Sequence, residues 1–229
     1  MRRFWNWVCN EDKGRTLYLN GPIAEETWWG DEATPKAFKD DLLDGEGDVT
    51  VWLNSPGGDV FAAAQIYNML REYSGRITVK IDALAASAAS VVAISGDEVC
   101  MSPVAQIMIH DPITIAIGGS DEMDKAKAML DEVKDSIINA YQLKTGLSRA
   151  KLSHMMTAET WMNAKKAVEL RFADKILYSE GDPPEDEGEG LIFSRSAVTN
   201  SLLSKFPKAQ PKPGVPIESL YKRLDLIAH

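Results

Sequence analysis

Cysteine and histidine are scarce in this chain of 229 residues, which has two of the first and three of the second. Cys9 and Cys100 build no disulfide framework and fit a reducing cytoplasm. No Cys/His cluster has zinc spacing, so neither a metal nor a cofactor is expected. No stretch approaches the ~18–20 uninterrupted apolar residues of a membrane span. The opening MRRFWNWVCNEDKGR is basic and aromatic, but it lacks the apolar core and small-residue cleavage site of a signal peptide. Positive charge is also short: the formal net charge is −9, which argues against a nucleic-acid partner.

What is present is enough apolar content, 45%, for a substantial core. Strand and helix patterns alternate. RTLYLNG (15–21), DVTVWLN (48–54) and RITVKID (76–82) read as strands; DEVCM (97–101), AQIMI (105–109) and DKILY (174–178) read as shorter ones. Helices are expected from Pro35 to Leu43 with Thr34 as N-cap, after the cap Asp59, and after the turn residues Ala83 to Ala86. Met123, Ala126, Leu130, Val133, Ile137 and Ala140 recur in steps of three and four, predicting a long amphipathic helix over Ser120–Leu143. Gly146 ends it, Ser148 starts another, and Asn163 caps AKKAVEL. This order implies an α/β domain of stacked ββα-like units over residues 1–179. EGDPPEDEGEG (180–190) is too acidic and too rich in Pro and Gly to bury a core. It opens a linker and tail, 180–229, holding one amphipathic piece, IESLYKRLDLI.

Two features at strand ends carry chemistry. NSPGG (54–58) leaves a strand, and its Gly57-Gly58 pair lets backbone N–H groups face an oxyanion or an extended peptide. A plain strand-to-helix turn explains it equally well. The stretch ALAASAASVVAISG (83–96) has nine Ala or Ser among fourteen residues. Ser87 heads its helix, where the N–H of the next residue, Ala88, points the way a nucleophile's oxyanion needs; a simple helix cap is the alternative. A nucleophilic serine requires a base. His229 is terminal and His154 sits on a surface helix pattern, whereas His110 ends the apolar strand AQIMI. Asp111 is adjacent to His110, so its side chain diverges from the imidazole; Glu159, on the connection TAETW, is a candidate orienting carboxylate or a solvated surface residue.

NSPGG, AASAAS some ~30 residues on, MIHDP and ETWMNAKKAVELRFAD, in that order, closely resemble the proteolytic subunit of the Clp protease family. Within it they resemble the phage and prophage branch of head-maturation proteases, over about residues 15–178. The resemblance implies the family's fold of stacked ββα units related to that of the crotonases, with a protruding handle helix at Ser120–Leu143. It implies Ser87 as nucleophile, His110 as base and Glu159 where bacterial subunits carry an Asp. Gly58 and Ala88 become the oxyanion hole, Gly57 and Gly58 contact substrate, and Ser90 falls at a small-residue position without a catalytic role. Cytoplasmic homo-oligomeric rings (heptamer or tetradecamer) are expected, with protein or peptide substrates, among them phage capsid or scaffold proteins. Thr50 and Trp52 stand where the family has tyrosines that bind its ATPase, which weighs against a Clp ATPase partner. Arg171 replaces a usual helix-end glycine. A ring-forming scaffold without catalysis and a crotonase-like acyl-CoA enzyme remain open alternatives at this point.

Overall fold

The computed structural model describes residues 7–9, 15–24 and 35–179; the acidic linker, the C-terminal tail and Thr34 lie outside the described residues. Three parallel strands form the centre: β2 (Arg15–Asn20), β3 (Val49–Ser55) and β4 (Ile77–Ala86). Beyond β4 lie β5 (Glu98–Met101) and then β8 (Lys175–Ile176), also parallel. On the opposite edge β1 (Trp7–Cys9), a short strand with no period-2 signal in the sequence, runs antiparallel to β2.

The period of two along each strand sets the core. The register aligns Leu17, Val51, Val79 and Val99 in one row across the sheet, and all four are almost fully buried. Ala62, Ala63, Ile66 and Leu70 of α2 (Val60–Glu72) join the same core. Asp59 caps α2 as the sequence predicts, accepting from the Ala62 N–H at 2.7 Å. α1 (Pro35–Leu43) ends against Arg15, whose guanidinium donates to the carbonyls of Asp41, Leu42 and Gly45. These are the acceptors a helix end leaves without partners. The other sheet face stays half-buried at Thr50, Trp52, Thr78 and Lys80.

β4 is the element that builds the functional end. Its first half pairs with β5, up to Ile81↔Met101. Its second half leaves β5 and pairs with β6 (Gln106–Ile109), up to Ala86↔Met108. At this corner the register against β3 jumps from Leu53↔Ile81 to Ser55↔Ala85, and Asp82 and Ala83 are exposed. The sequence pattern predicts a turn over Ala83 to Ala86; these residues instead continue the strand, because burial and pairing with β6 override alanine's poor strand propensity. β7 (Thr160–Asn163) then pairs antiparallel with β6. Its four residues read as a connection in the sequence.

The buried helix α3 (Ala88–Ala93) follows β4 directly. α4 (Ser120–Thr145) has 26 residues, about 39 Å at 1.5 Å per residue, and ends at Gly146 with φ 70°. Its fully buried residues are Ile138, Tyr141 and Thr145, all in the last third, whereas Met123 and Met129 are exposed. α5 (Arg149–Thr157) starts at the cap Ser148 and α6 (Ala164–Glu169) at the cap Asn163. No helix among the described residues is long and apolar enough to cross a membrane.

α6 ends with the hydrogen bonds Phe172 N–H to Ala167 O (2.8 Å) and Arg171 N–H to Val168 O (3.0 Å). That is a Schellman motif, and it puts Arg171 at φ 63°, the left-handed region that favours glycine. Arg171 thus holds a backbone conformation that glycine adopts without strain. Arg171→Gly is expected to stabilise the domain by about 1 kcal/mol, measured as a higher denaturant midpoint at unchanged slope.

Candidate active site

Ser87 sits where β4 stops and α3 begins, with φ 54° and ψ −128°. Such a backbone stores of order 1–3 kcal/mol and persists only where its surroundings hold it. Here the Ser87 N–H donates to Met108 O at 2.9 Å, and the Ser87 carbonyl accepts from the N–H and the hydroxyl of Ser90 at 2.9 and 2.5 Å. Ser87 is the N-cap of α3, yet its side chain makes no capping bond. Its Oγ lies instead 2.7 Å from His110 Nε2. The plain cap reading is therefore set aside by the geometry.

His110 follows β6 immediately. The ladder between β6 and β7 ends at Ile109↔Thr160, the neighbours of His110 and Glu159, so both residues lie at the same end of this strand pair. Glu159 is half-buried with φ 50°, and its Oε1 accepts from the Trp161 indole N–H at 3.4 Å. Asp111 turns elsewhere. It pairs with Lys134 Nζ at 2.8 Å and accepts from the Thr157 hydroxyl at 3.0 Å. His154 is exposed on α5.

Gly57 and Gly58 close the site from the β3 side. Ile23 brackets Gly58, donating to Gly57 O (2.9 Å) and accepting from the Asp59 N–H (2.8 Å). Because strand groups alternate in direction, the N–H of Gly58 itself points away from Ile23. Gly57 has φ 90° and Gly58 φ 146°. A Cβ on Gly57 would lie 2.8 Å from Ser87 Cβ, and one on Gly58 would lie 2.0 Å from Ile23 O. Only glycine lets this turn approach the serine so closely.

A cleft of about 200 Å³ opens over these groups, touching Gly58, Ser87, Ala88 and His110, with Leu130 and Ile137 of α4 on its far wall. Beneath it lies a pair the sequence does not signal: Ser90 Oγ and Tyr141 Oη are 2.6 Å apart. Tyr141 is buried edge-on to Phe172, with ring centroids 5.3 Å apart. Burial pushes its hydroxyl well above the ordinary phenol range.

Fold and site together define a class: a mixed α/β domain whose parallel sheet turns a corner and presents a serine hydroxyl to an imidazole at its end. The family model for the Clp protease matches residues 13–180. The ATP-dependent Clp protease proteolytic subunit 1 of Chlamydia trachomatis serovar D is 30% identical over 176 residues, covering 73% of this chain and 88% of that protein. The proteolytic subunit of Streptococcus pneumoniae is 27% identical, covering 72% and 85%. Among solved structures, a ClpP1 mutant from Listeria monocytogenes superposes with a TM-score of 0.63 at 19% identity, over 72% of this chain and 91% of that one. The chain belongs to the Clp protease family and is a peptidase of that type. The match falls on the protease side of the two enzyme classes the sequence leaves open.

Proposed function

We propose that the chain is a serine endopeptidase using Ser87, His110 and Glu159. The contact of 2.7 Å between Ser87 Oγ and His110 Nε2 carries this reading. In it His110 Nε2 takes the Ser87 proton as Oγ attacks a peptide carbonyl, and Glu159 stabilises the imidazolium from the Nδ1 side. The N–H groups of Gly58 and Ala88 hold the tetrahedral oxyanion. His110 then protonates the departing amine, and water releases the acyl group. The apolar wall formed by Leu130 and Ile137 suits a substrate with an apolar side chain before the scissile bond. Hydrolysis of a fluorogenic peptide of that kind by the purified chain, with no ATPase added, tests the reading; a folded assembly without turnover supports the scaffold alternative instead.

The working form in this reading is a ring of identical subunits, a heptamer or a stacked pair of heptamers, in the host cytoplasm. Its support is apolar surface that one chain leaves open: Ile113, Ile115 and Ile117 are 59%, 87% and 90% exposed beside the exposed Met123 and Met129. Parallel strands are normally covered on both faces, and here one face stays half-buried. Sedimentation at micromolar protein is expected to show a species of seven or more subunits, and a monodisperse monomer contradicts it.

The substrates proposed are phage capsid or scaffold proteins, on the strength of the branch resemblance. The surroundings of Trp52 favour work without a Clp ATPase. Tyr18 stacks beside Trp52 at 6.5 Å, and Lys80 Nζ lies 5.3 Å from its ring centroid, so that aromatic surface is occupied from within the chain.

A further inference from the structure

The second serine of AASAAS is buried, polar and unused by the chemistry proposed above. Its hydrogen bonds have a definite direction. The Ser87 carbonyl accepts only, so at 2.5 Å the Ser90 hydroxyl must donate to it. Ser90 Oγ has then spent its proton, so in the 2.6 Å contact the Tyr141 hydroxyl is the donor. The chain therefore runs Tyr141 O–H to Ser90 O–H to Ser87 C=O.

The peptide between Ser87 and Ala88 is planar and trans, so its C=O and N–H point in opposite directions. Drawing the carbonyl inward turns the Ala88 N–H outward, toward the cleft that Ser87 and Ala88 line. The strained φ at Ser87 persists only where its surroundings hold it, and this carbonyl is held by two donors, the N–H and the hydroxyl of Ser90. Tyr141 is itself fixed by burial and by the Phe172 ring.

We propose that Ser90 and Tyr141 are positioning residues whose linked hydroxyls lock the Ser87–Ala88 peptide plane and so aim the Ala88 N–H at the developing oxyanion. The proposal rests on Ser87 being the nucleophile. It also gives α4, through Tyr141, a direct hold on the oxyanion site.

The test compares wild type, Tyr141→Phe, Ser90→Ala and the double variant as full chains, all matched for sedimentation and melting midpoint. Three quantities are read: kcat and KM for a fluorogenic peptide, and affinity for a peptide boronate, whose tetrahedral oxygen occupies the oxyanion position. Tyr141→Phe keeps the ring and loses only the hydroxyl. It is expected to lower kcat about 10-fold with KM nearly unchanged and to weaken the boronate by the same factor. The double variant is expected to be no worse than the worse single one, since both act through one chain of bonds. Unchanged kcat and boronate affinity in Tyr141→Phe overturn the proposal, as do fully additive losses in the double variant. Should Ser90→Ala fail to fold, Tyr141→Phe alone decides. Wild type that hydrolyses nothing and takes no fluorophosphonate on Ser87 removes the nucleophile reading, and this proposal with it.

Discussion

Ser87→Ala is expected to reduce kcat/KM for peptide hydrolysis on the order of 10⁴-fold or more, with fold and assembly intact. The structure separates the two effects. The Ser87 side chain makes no capping bond to α3, so removing its oxygen costs the helix little. The strained backbone is held by main-chain bonds and by Ser90, none of which uses the Ser87 hydroxyl. Alanine is no less tolerant of that backbone than serine. Stability is expected to change by under about 1 kcal/mol, read from denaturant unfolding beside the assay. What remains is the modest assistance of the oxyanion groups to attack by water.

Glu159→Gln is expected to lower kcat on the order of 10³–10⁴-fold while KM stays nearly constant. Glutamine has the same length, and its amide oxygen can still accept from the Trp161 indole. The backbone at φ 50° is equally open to both residues. The change removes the charge and replaces one acceptor oxygen with an NH2 donor, which in the proposed mechanism can neither accept the His110 Nδ1–H nor stabilise the imidazolium. Steady-state kinetics on the assembled protein check this, with Glu159→Asp as a control that restores a carboxylate and recovers part of the rate. A loss confined to KM would mean that Glu159 contacts substrate rather than orienting His110.

The fold was legible where the period of two or of 3.6 was clean. β3 alternates buried and half-buried residues along its whole length, and α2 follows its apolar spacing. α4 forms where its spacing predicts a helix, but the residues it buries are Ile138, Tyr141 and Thr145, outside the predicted stripe. Reading stopped where tertiary contacts decide. Ala83 to Ala86 look like a turn, because nothing local shows that β6 lies alongside them. The strand TWMN has four residues, too few for a periodic signal, yet its pairing with β6 brings the neighbours of Glu159 and His110 together as Thr160↔Ile109. Ser87 and His110 were legible as types at strand ends; their 2.7 Å contact was not, since 23 residues separate them. Ser90 and Tyr141 are 51 residues apart, and neither residue type marks the other. Arg171 is another such case: nothing in its residue type signals the glycine-type backbone it adopts.

In the proposed mechanism His110 activates Ser87. Labelling with a fluorophosphonate, read by peptide mass spectrometry on wild type and on His110→Ala, tests this most directly. The expected result is a label on Ser87 in wild type and none in the variant, both folded and assembled alike. A label on another residue, or equal labelling of Ser87 without His110, would contradict it.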